Sequence, residues 1–269
     1  MSAKDNQPDW DKIAEKFDCW LPQLAPVGED LITALAVQAG DRVLDVASGT
    51  GEPALTLARR HRDIFIEGVD AAAGMIRVAQ NKAEREGLAH LRFDTMSAER
   101  LAFTDDSFDR VLCRFGVMLF EEPQRGLEEM RRVLKPGGHM ALAVWSTAET
   151  MPTLFWSYEV FKSRIPEEAY PPLIKVTSLG GLGVMDAMMD RAGFSEYAIE
   201  ARSFDYRFDS FEAYWDTMEA SDILKQQYDA LPVGQRAEVR DEVGRFARDF
   251  VSDQGLVIPH QYLLVTATK

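Results

Sequence analysis

Cysteine is nearly absent: 269 residues hold only Cys19 and Cys113, far apart and in no C-x-x-C arrangement. That excludes a disulfide framework and a cysteine-built zinc site. Histidine is almost as scarce, and His61, His90, His139 and His260 include no pair at ligand spacing on one helix face. Positive charge is short as well, with 30 Lys and Arg against 44 Asp and Glu and a net charge of -14. Such a surface repels a phosphate backbone, and no basic stripe interleaved with aromatics offsets it, so nucleic acid is not an expected partner. No run of ~18 apolar residues free of charge occurs, and "MSAKDNQPDW" lacks an apolar leader region, so the expectation is a cytoplasmic enzyme without a signal peptide or membrane span. Internal repeats and low-complexity linkers are missing too.

What is present is the balance of a chain with a real core, 46% apolar and 28% charged. From Arg42 onward, short β-rich runs alternate with helical patterns. Strands are predicted at Val43–Val46, Ile64–Val69, His90–Phe93, Arg110–Arg114 and His139–Trp145, and helices near Pro53–Arg60, Gly74–Glu86 and Gln124–Leu134. That alternation predicts βαβ units and a mostly parallel sheet. Residues 1–39 read as cap helices broken at Pro22 and Pro26. Residues 40–146 read as the cofactor-binding core. Residues 147–269 read as lid helices and closing strands of the same domain, with Tyr197–Phe208 and Val257–Ala267 as an antiparallel pair at one sheet edge.

The run "RVLDVASGTGEPALTLARR" carries the chemistry. From Gly49 it reads Gly-Thr-Gly-Glu-Pro-Ala, which satisfies the G-x-G-x-x-G/A turn of dinucleotide binders. Asp70 ends the second strand, at the distance where a carboxylate reaches ribose hydroxyls or simply caps the next helix. These features suit a nicotinamide-dependent oxidoreductase as well as other nucleoside sites. Asp45 discriminates, because a carboxylate beneath the turn can orient an ammonium group but repels a pyrophosphate.

With "VLDVASGTG", "EGVDAAAGM", "SAERLAFTDDSFDRV" and "EEMRRVLKPGGHMAL" in this order and spacing, residues 40–146 resemble class I S-adenosylmethionine-dependent methyltransferases, in particular the ubiquinone/menaquinone-biosynthesis group. The resemblance implies a Rossmann-like, mostly parallel seven-stranded α/β sheet with helices on both faces, an antiparallel last strand and a helical cap. It implies S-adenosyl-L-methionine as cofactor and a small organic molecule as methyl acceptor. Ala47 and Gly49 would then lie against the methionine part and Gly51 near the ribose. Asp70 would hold both ribose hydroxyls, Ala71 and Met75 would flank the adenine, and Ser97 and Ala98 would meet its edge. The backbone of Arg114 would approach the methionine portion. Family members often carry an aspartate where this chain has Ser97, a neutral and weaker acceptor.

For the acceptor, Phe115, Trp145, Phe155, Trp156 and Tyr158, with Trp10 and Trp20, predict an aromatic-lined pocket, with His260 in reach of it. Arg114 is placed either to steady an anionic substrate or to pair with Glu121 or Glu122. Asp105, Asp106 and Asp109 are expected to make a solvated turn rather than a metal site. No general base stands out. A protein that binds the cofactor without transferring its methyl group remains the other alternative.

Overall fold

The structure is a computed structural model that describes residues 8–269, so the start of the expected N-terminal cap lies outside the described residues. Its centre is a sheet whose parallel strands are β1 (Arg42–Val46), β2 (Phe65–Asp70), β3 (Leu91–Thr95), β4 (Phe108–Arg114) and β5 (Leu134–Trp145). Two long strands, β6 (Glu196–Phe208) and β8 (Gly255–Thr268), run antiparallel and give the order β3-β2-β1-β4-β5-β8-β6, while the two-residue β7 (Val251–Ser252) pairs with β8 off this path. The expected seven-stranded Rossmann-like sheet is present, with β7 as an addition too short to register as a period-2 pattern.

The strands form where they do because they are buried on both faces. Val43, Leu44 and Val46 in β1 and Val111, Leu112 and Cys113 in β4 are fully covered, as β-rich runs in a parallel sheet must be. Around the sheet lie α3 (Ala54–Arg60), α4 (Ala73–Arg85) and α5 (Pro123–Val133), with α4 packed on β2 and β3. The strand order reverses at β1, whose neighbours β2 and β4 leave their connections on opposite sides, so a crevice opens at the strand C-termini there.

Preceding the sheet are the single turn α1 (Trp10–Ile13) and α2 (Leu21–Leu35). Pro22 sits in the first turn of α2, as expected of a residue with no N–H to donate. Pro26 does not break the helix, contrary to expectation. The one bond it forfeits is offset by the burial of Leu24, Val27, Leu31 and Leu35, on a helix that packs against β4 and β5. The "LKPGG" segment also differs. Leu134 already pairs with Phe108 and His139 with Arg110, so Lys135–Gly138 is absorbed as a bulge inside β5 rather than forming a separate connection.

The second half supplies α6 (Pro152–Phe161), α7 (Leu173–Val176), α8 (Val184–Ala192), α9 (Phe211–Ala220), α10 (Lys225–Ala230) and α11 (Arg236–Ala247). Among the described residues no helix is long and apolar enough to cross a membrane.

At the crevice the loop after β4 packs directly on the loop after β1. A Cβ on Gly116 would fall 2.4 Å from the Ala47 Cβ and 2.7 Å from the Cys113 Sγ. Gly116→Ala therefore overpacks the switch point and is expected to lower stability by about 1–3 kcal/mol, read as a fall in the urea midpoint at unchanged slope.

Candidate cofactor and acceptor site

A cavity of about 850 Å³ occupies the crevice. Its floor comes from the loops following all five parallel strands: Ala47–Thr50 and Glu52 after β1, Asp70 and Ala71 at β2, Met96–Glu99 after β3, Arg114–Gly116 and Met118–Glu121 after β4, and Trp145 at β5. Ala47 and Gly49 turn through the left-handed region, φ 58° and 53°, and nothing lies within 4 Å of the place a Gly49 Cβ would take. The turn thus leaves open space above Gly49 for a ligand to approach the backbone.

Asp70 fixes that turn. One carboxylate oxygen accepts the Gly49 N–H and the other the Ala72 N–H, both at 2.9 Å, so the loops after β1 and β2 are tied to one side chain. Each oxygen retains a lone pair for a ligand hydroxyl. Burial raises the Asp70 pKa against the pull of these two amides.

Six of the predicted site residues are not at the cavity wall. Asp45 lies under the turn, fully buried, and neither of its oxygens finds a hydrogen-bond partner among the described groups. Desolvation pushes its pKa up to about 8, opposed by the Arg114 guanidinium and the nearby Ala54 amide. Gly51 is not in the cavity wall: a Cβ there would point inward and meet Leu55 at 2.8 Å and Phe93 at 3.1 Å, so its lack of a side chain serves helix–sheet packing. Phe155 is 40% exposed, Trp156 packs on Tyr214 and Phe250, and Tyr158 packs edge-on against Tyr170. The face of α6 presented to the cavity is instead Thr153, Leu154 and Ser157, one helical turn apart. His260 is buried behind Thr153 and reaches the cavity only through it.

The other ten do converge. Ala71, Met75, Ser97 and Ala98 gather at one end with Met96, and Ser97 Oγ both accepts the Glu99 N–H (3.2 Å) and donates to the Glu99 carboxylate (3.4 Å). Glu99, unnoticed in the sequence, thereby places a carboxylate two residues from the neutral Ser97. Arg114 lies in the cavity wall with its Nη1 3.5 Å from the Leu24 carbonyl, close enough to Asp45 and Glu52 to feel both charges, and it forms neither of the ion pairs expected with Glu121 or Glu122. Burial lowers its pKa. Phe115 stacks on Trp145 at 3.9 Å, and Trp145 lies parallel to Phe204 at 5.9 Å. Trp20, Leu24, Met151, Tyr206, Met218 and Leu224 complete an apolar far end, while Trp10 and Phe17 pack toward Ala72 and Met75 at the other. Tyr206 stands in β6, where a period-2 pattern identifies a strand but does not say which face meets a cavity three elements away.

The N-terminal segment is clasped over this crevice. Asp18 accepts from the Thr50 hydroxyl (2.6 Å) and pairs with Lys82 (2.6 Å), Asp11 accepts the Gly74 N–H (2.5 Å), and Lys16 meets Asp222 from the far side. By contrast, Asp105, Asp106 and Asp109 diverge to three separate cations, Arg132, Lys269 and Lys135. Among the described residues no group of three metal-ligating side chains gathers anywhere.

An unpartnered carboxylate beneath a glycine turn, an unpartnered Ser48 hydroxyl in the cavity wall and a carboxylate at the end of β2 fit a ligand with an ammonium at one end and a ribose in the middle. The fold and this site define a Rossmann-like S-adenosylmethionine-dependent methyltransferase. Residues 28–169, more than half of the chain, match the ubiE/COQ5 methyltransferase family, and the chain belongs to it. Over 178 residues it is 32% identical to a demethylmenaquinone methyltransferase of Bacteroides fragilis, covering 61% of this chain and 71% of that one. An uncharacterized protein of Mycobacterium tuberculosis is 27% identical over 260 residues, 91% of this chain and 88% of its own. The fold is shared with the phosphoethanolamine N-methyltransferase 2 of Haemonchus contortus, solved in complex with S-adenosyl-L-methionine, with a TM-score of 0.58 at 18% identity over 91% of this chain and 52% of that one. Family membership sets aside the nicotinamide reading of the glycine turn.

Because Asp45 titrates near 8 in the fold against 3.8 ordinarily, the cofactor-free folded protein holds a proton that the unfolded chain releases. Its contribution is therefore present at low pH and lost as pH rises between about 4 and 8. Asp45→Asn removes that slope: its melting temperature without cofactor is expected to climb relative to the parent across this window, and a constant difference would contradict the assignment.

Proposed function

We propose that the chain transfers the methyl group of S-adenosylmethionine to a small, largely apolar organic molecule through an O, C, S or N nucleophile. The observation that carries this reading is the division of one cavity into a polar end, built by the loops after β1, β2 and β3, and an apolar end walled by Phe115, Trp145, Met151, Leu154, Tyr206 and Met218. The relatives named as demethylmenaquinone methyltransferases support an acceptor of this kind.

In this proposal Ala47, Ser48 and Gly49 hold the amino-acid end of the cofactor, with Asp45 acting on its ammonium from beneath the turn. Arg114 stands where it can meet a carboxylate. Asp70 takes the ribose hydroxyls on its free lone pairs. Ala71 and Met75 enclose the base, and Ser97, the Ala98 backbone and Glu99 face its edge. When bound, S-adenosylmethionine supplies a methyl group already activated by its sulfonium, for in-line displacement with release of S-adenosylhomocysteine. The chain has little bond-making chemistry of its own to do. The aromatic stack and the clasped N-terminal segment hold the acceptor and exclude water, a positioning effect worth several kcal/mol.

Calorimetric titration with S-adenosylmethionine and with NADH tests the reading. Binding of the first and not the second is expected. A cationic ligand favours the ionised form of Asp45, so at neutral pH the heat should vary with the ionisation enthalpy of the buffer in the sense of proton release. Asp70→Asn turns an N–H₂ against a backbone N–H and should weaken cofactor binding about tenfold or more.

A further inference from the structure

The imidazole of His260 is held at both nitrogens. Nδ1 lies 3.0 Å from the Ile258 carbonyl, which can only accept, so Nδ1 carries the proton. Nε2 lies 2.8 Å from the Thr153 Oγ. In the neutral ring Nε2 has a lone pair and no proton, and the Thr153 hydroxyl must donate to it. Neutrality is enforced by the surroundings: the ring is 1% exposed, stacked on Tyr206 at 4.1 Å and flanked by Trp145 and Phe204, and burial brings its pKa down to about 4. Among the described residues no carboxylate is hydrogen-bonded to the ring.

The consequence falls on the cavity side. Thr153 lines the cavity, but its only proton is spent on His260, so what it offers a ligand is lone pairs. Ser157, one turn on and also in the cavity wall, likewise spends its proton, on the Thr153 carbonyl at 3.0 Å. The hydroxyls of α6 therefore present an acceptor-only pair within an otherwise apolar wall of Met151, Leu154 and Trp145. A bare ether, ketone or methyl group placed there would leave these oxygens unsatisfied, while a protic group would satisfy them.

We propose that Thr153 is the docking contact for a proton-bearing heteroatom of the methyl acceptor, an O–H or N–H, and that His260 is the positioning residue that makes Thr153 an acceptor instead of a donor. The inference rests on the methyltransferase site described above and narrows its acceptor to molecules that carry such a group on an apolar frame. His260 takes no proton from the acceptor in this arrangement. It fixes the direction of one hydrogen bond.

The test uses the full chain loaded with S-adenosylhomocysteine, titrated with 1-naphthol and with 1-methoxynaphthalene, the same ring system without the proton. The naphthol should bind about tenfold more tightly or better. Thr153→Ser should keep that preference and Thr153→Val should abolish it, with the affinity for S-adenosylhomocysteine unchanged in both. In ¹⁵N-histidine spectra of the parent chain, the His260 Nε2 resonance should move on adding naphthol and stay in place with the methyl ether, a response that a purely structural Thr153–His260 bond would not give. Should Thr153→Val fail to fold, the two-ligand comparison and the Nε2 shift in the parent chain still decide. Equal affinities, no binding of the naphthol, a still Nε2 resonance or a preference surviving in Thr153→Val overturns the proposal. Failure of S-adenosylhomocysteine itself to bind would instead overturn the cofactor reading beneath it.

Discussion

The carboxylate of Asp70 is the fixture on which the site depends. A glycine turn at a strand end has few conformational restraints of its own, since residues such as Gly49 gain their freedom by giving up a side chain. Asp70 removes that freedom by holding the Gly49 and Ala72 amides at equal distances from its two oxygens. The parallel pairing of Val46 with Val69 sets the two strand ends side by side, which makes this reach possible. One acidic side chain thus spans two loops, caps the approach to α4 and keeps lone pairs toward the cavity, and its burial raises its pKa without removing those partners.

Charge inside the fold is arranged on the same scale. Asp45 is stripped of water and Arg114 is half-buried in the cavity wall; among the described residues neither has an ion-pair partner within bonding distance, and each biases the other through the wall of the crevice. Holding a carboxyl protonated and a guanidinium short of ion-pair partners costs stability in a protein without its ligand. Their placement under and beside the methionine-binding loops in the proposed site means that the cost is met where a zwitterionic ligand would relieve it.

The β1–β5 core was legible because strands buried on both faces read as continuous apolar runs, and because the glycine turn, Asp70 and "LKPGG" occur at fixed offsets from them. The polar end of the cavity was legible through the resemblance to the methyltransferase family, whose motif positions Ala47, Gly49, Asp70, Ala71, Met75, Ser97, Ala98 and Arg114 all reach its wall. Gly51 and Asp45 show the limit, since a motif position does not reveal whether a residue faces the ligand or the sheet behind it. The second half was harder. Phe155, Trp156 and Tyr158 drew notice by size, yet large aromatics on a short helix are as readily consumed by packing on α9 and the 248–250 turn, and the cavity receives the small polar stripe Thr153–Ser157 instead. Tyr206 and Glu99 depend on long-range assembly that no local period encodes.

Strand β8 carries a consequence for the order of events in synthesis. It follows every other described strand in sequence, yet it lies inside the sheet, bonded to β5 through Tyr262–Thr268 on one side and to β6 along its length on the other. Until β8 has left the ribosome, β5 has an open edge with Ala141, Leu142 and Val144 beside it, and β6 has no partner at all. Between the synthesis of β5 and that of β8 the nascent chain therefore carries an unpaired apolar edge, the exposure that recruits chaperones and permits pairing with a neighbouring chain. Completing the sheet is a single late insertion that joins both halves of the molecule at once.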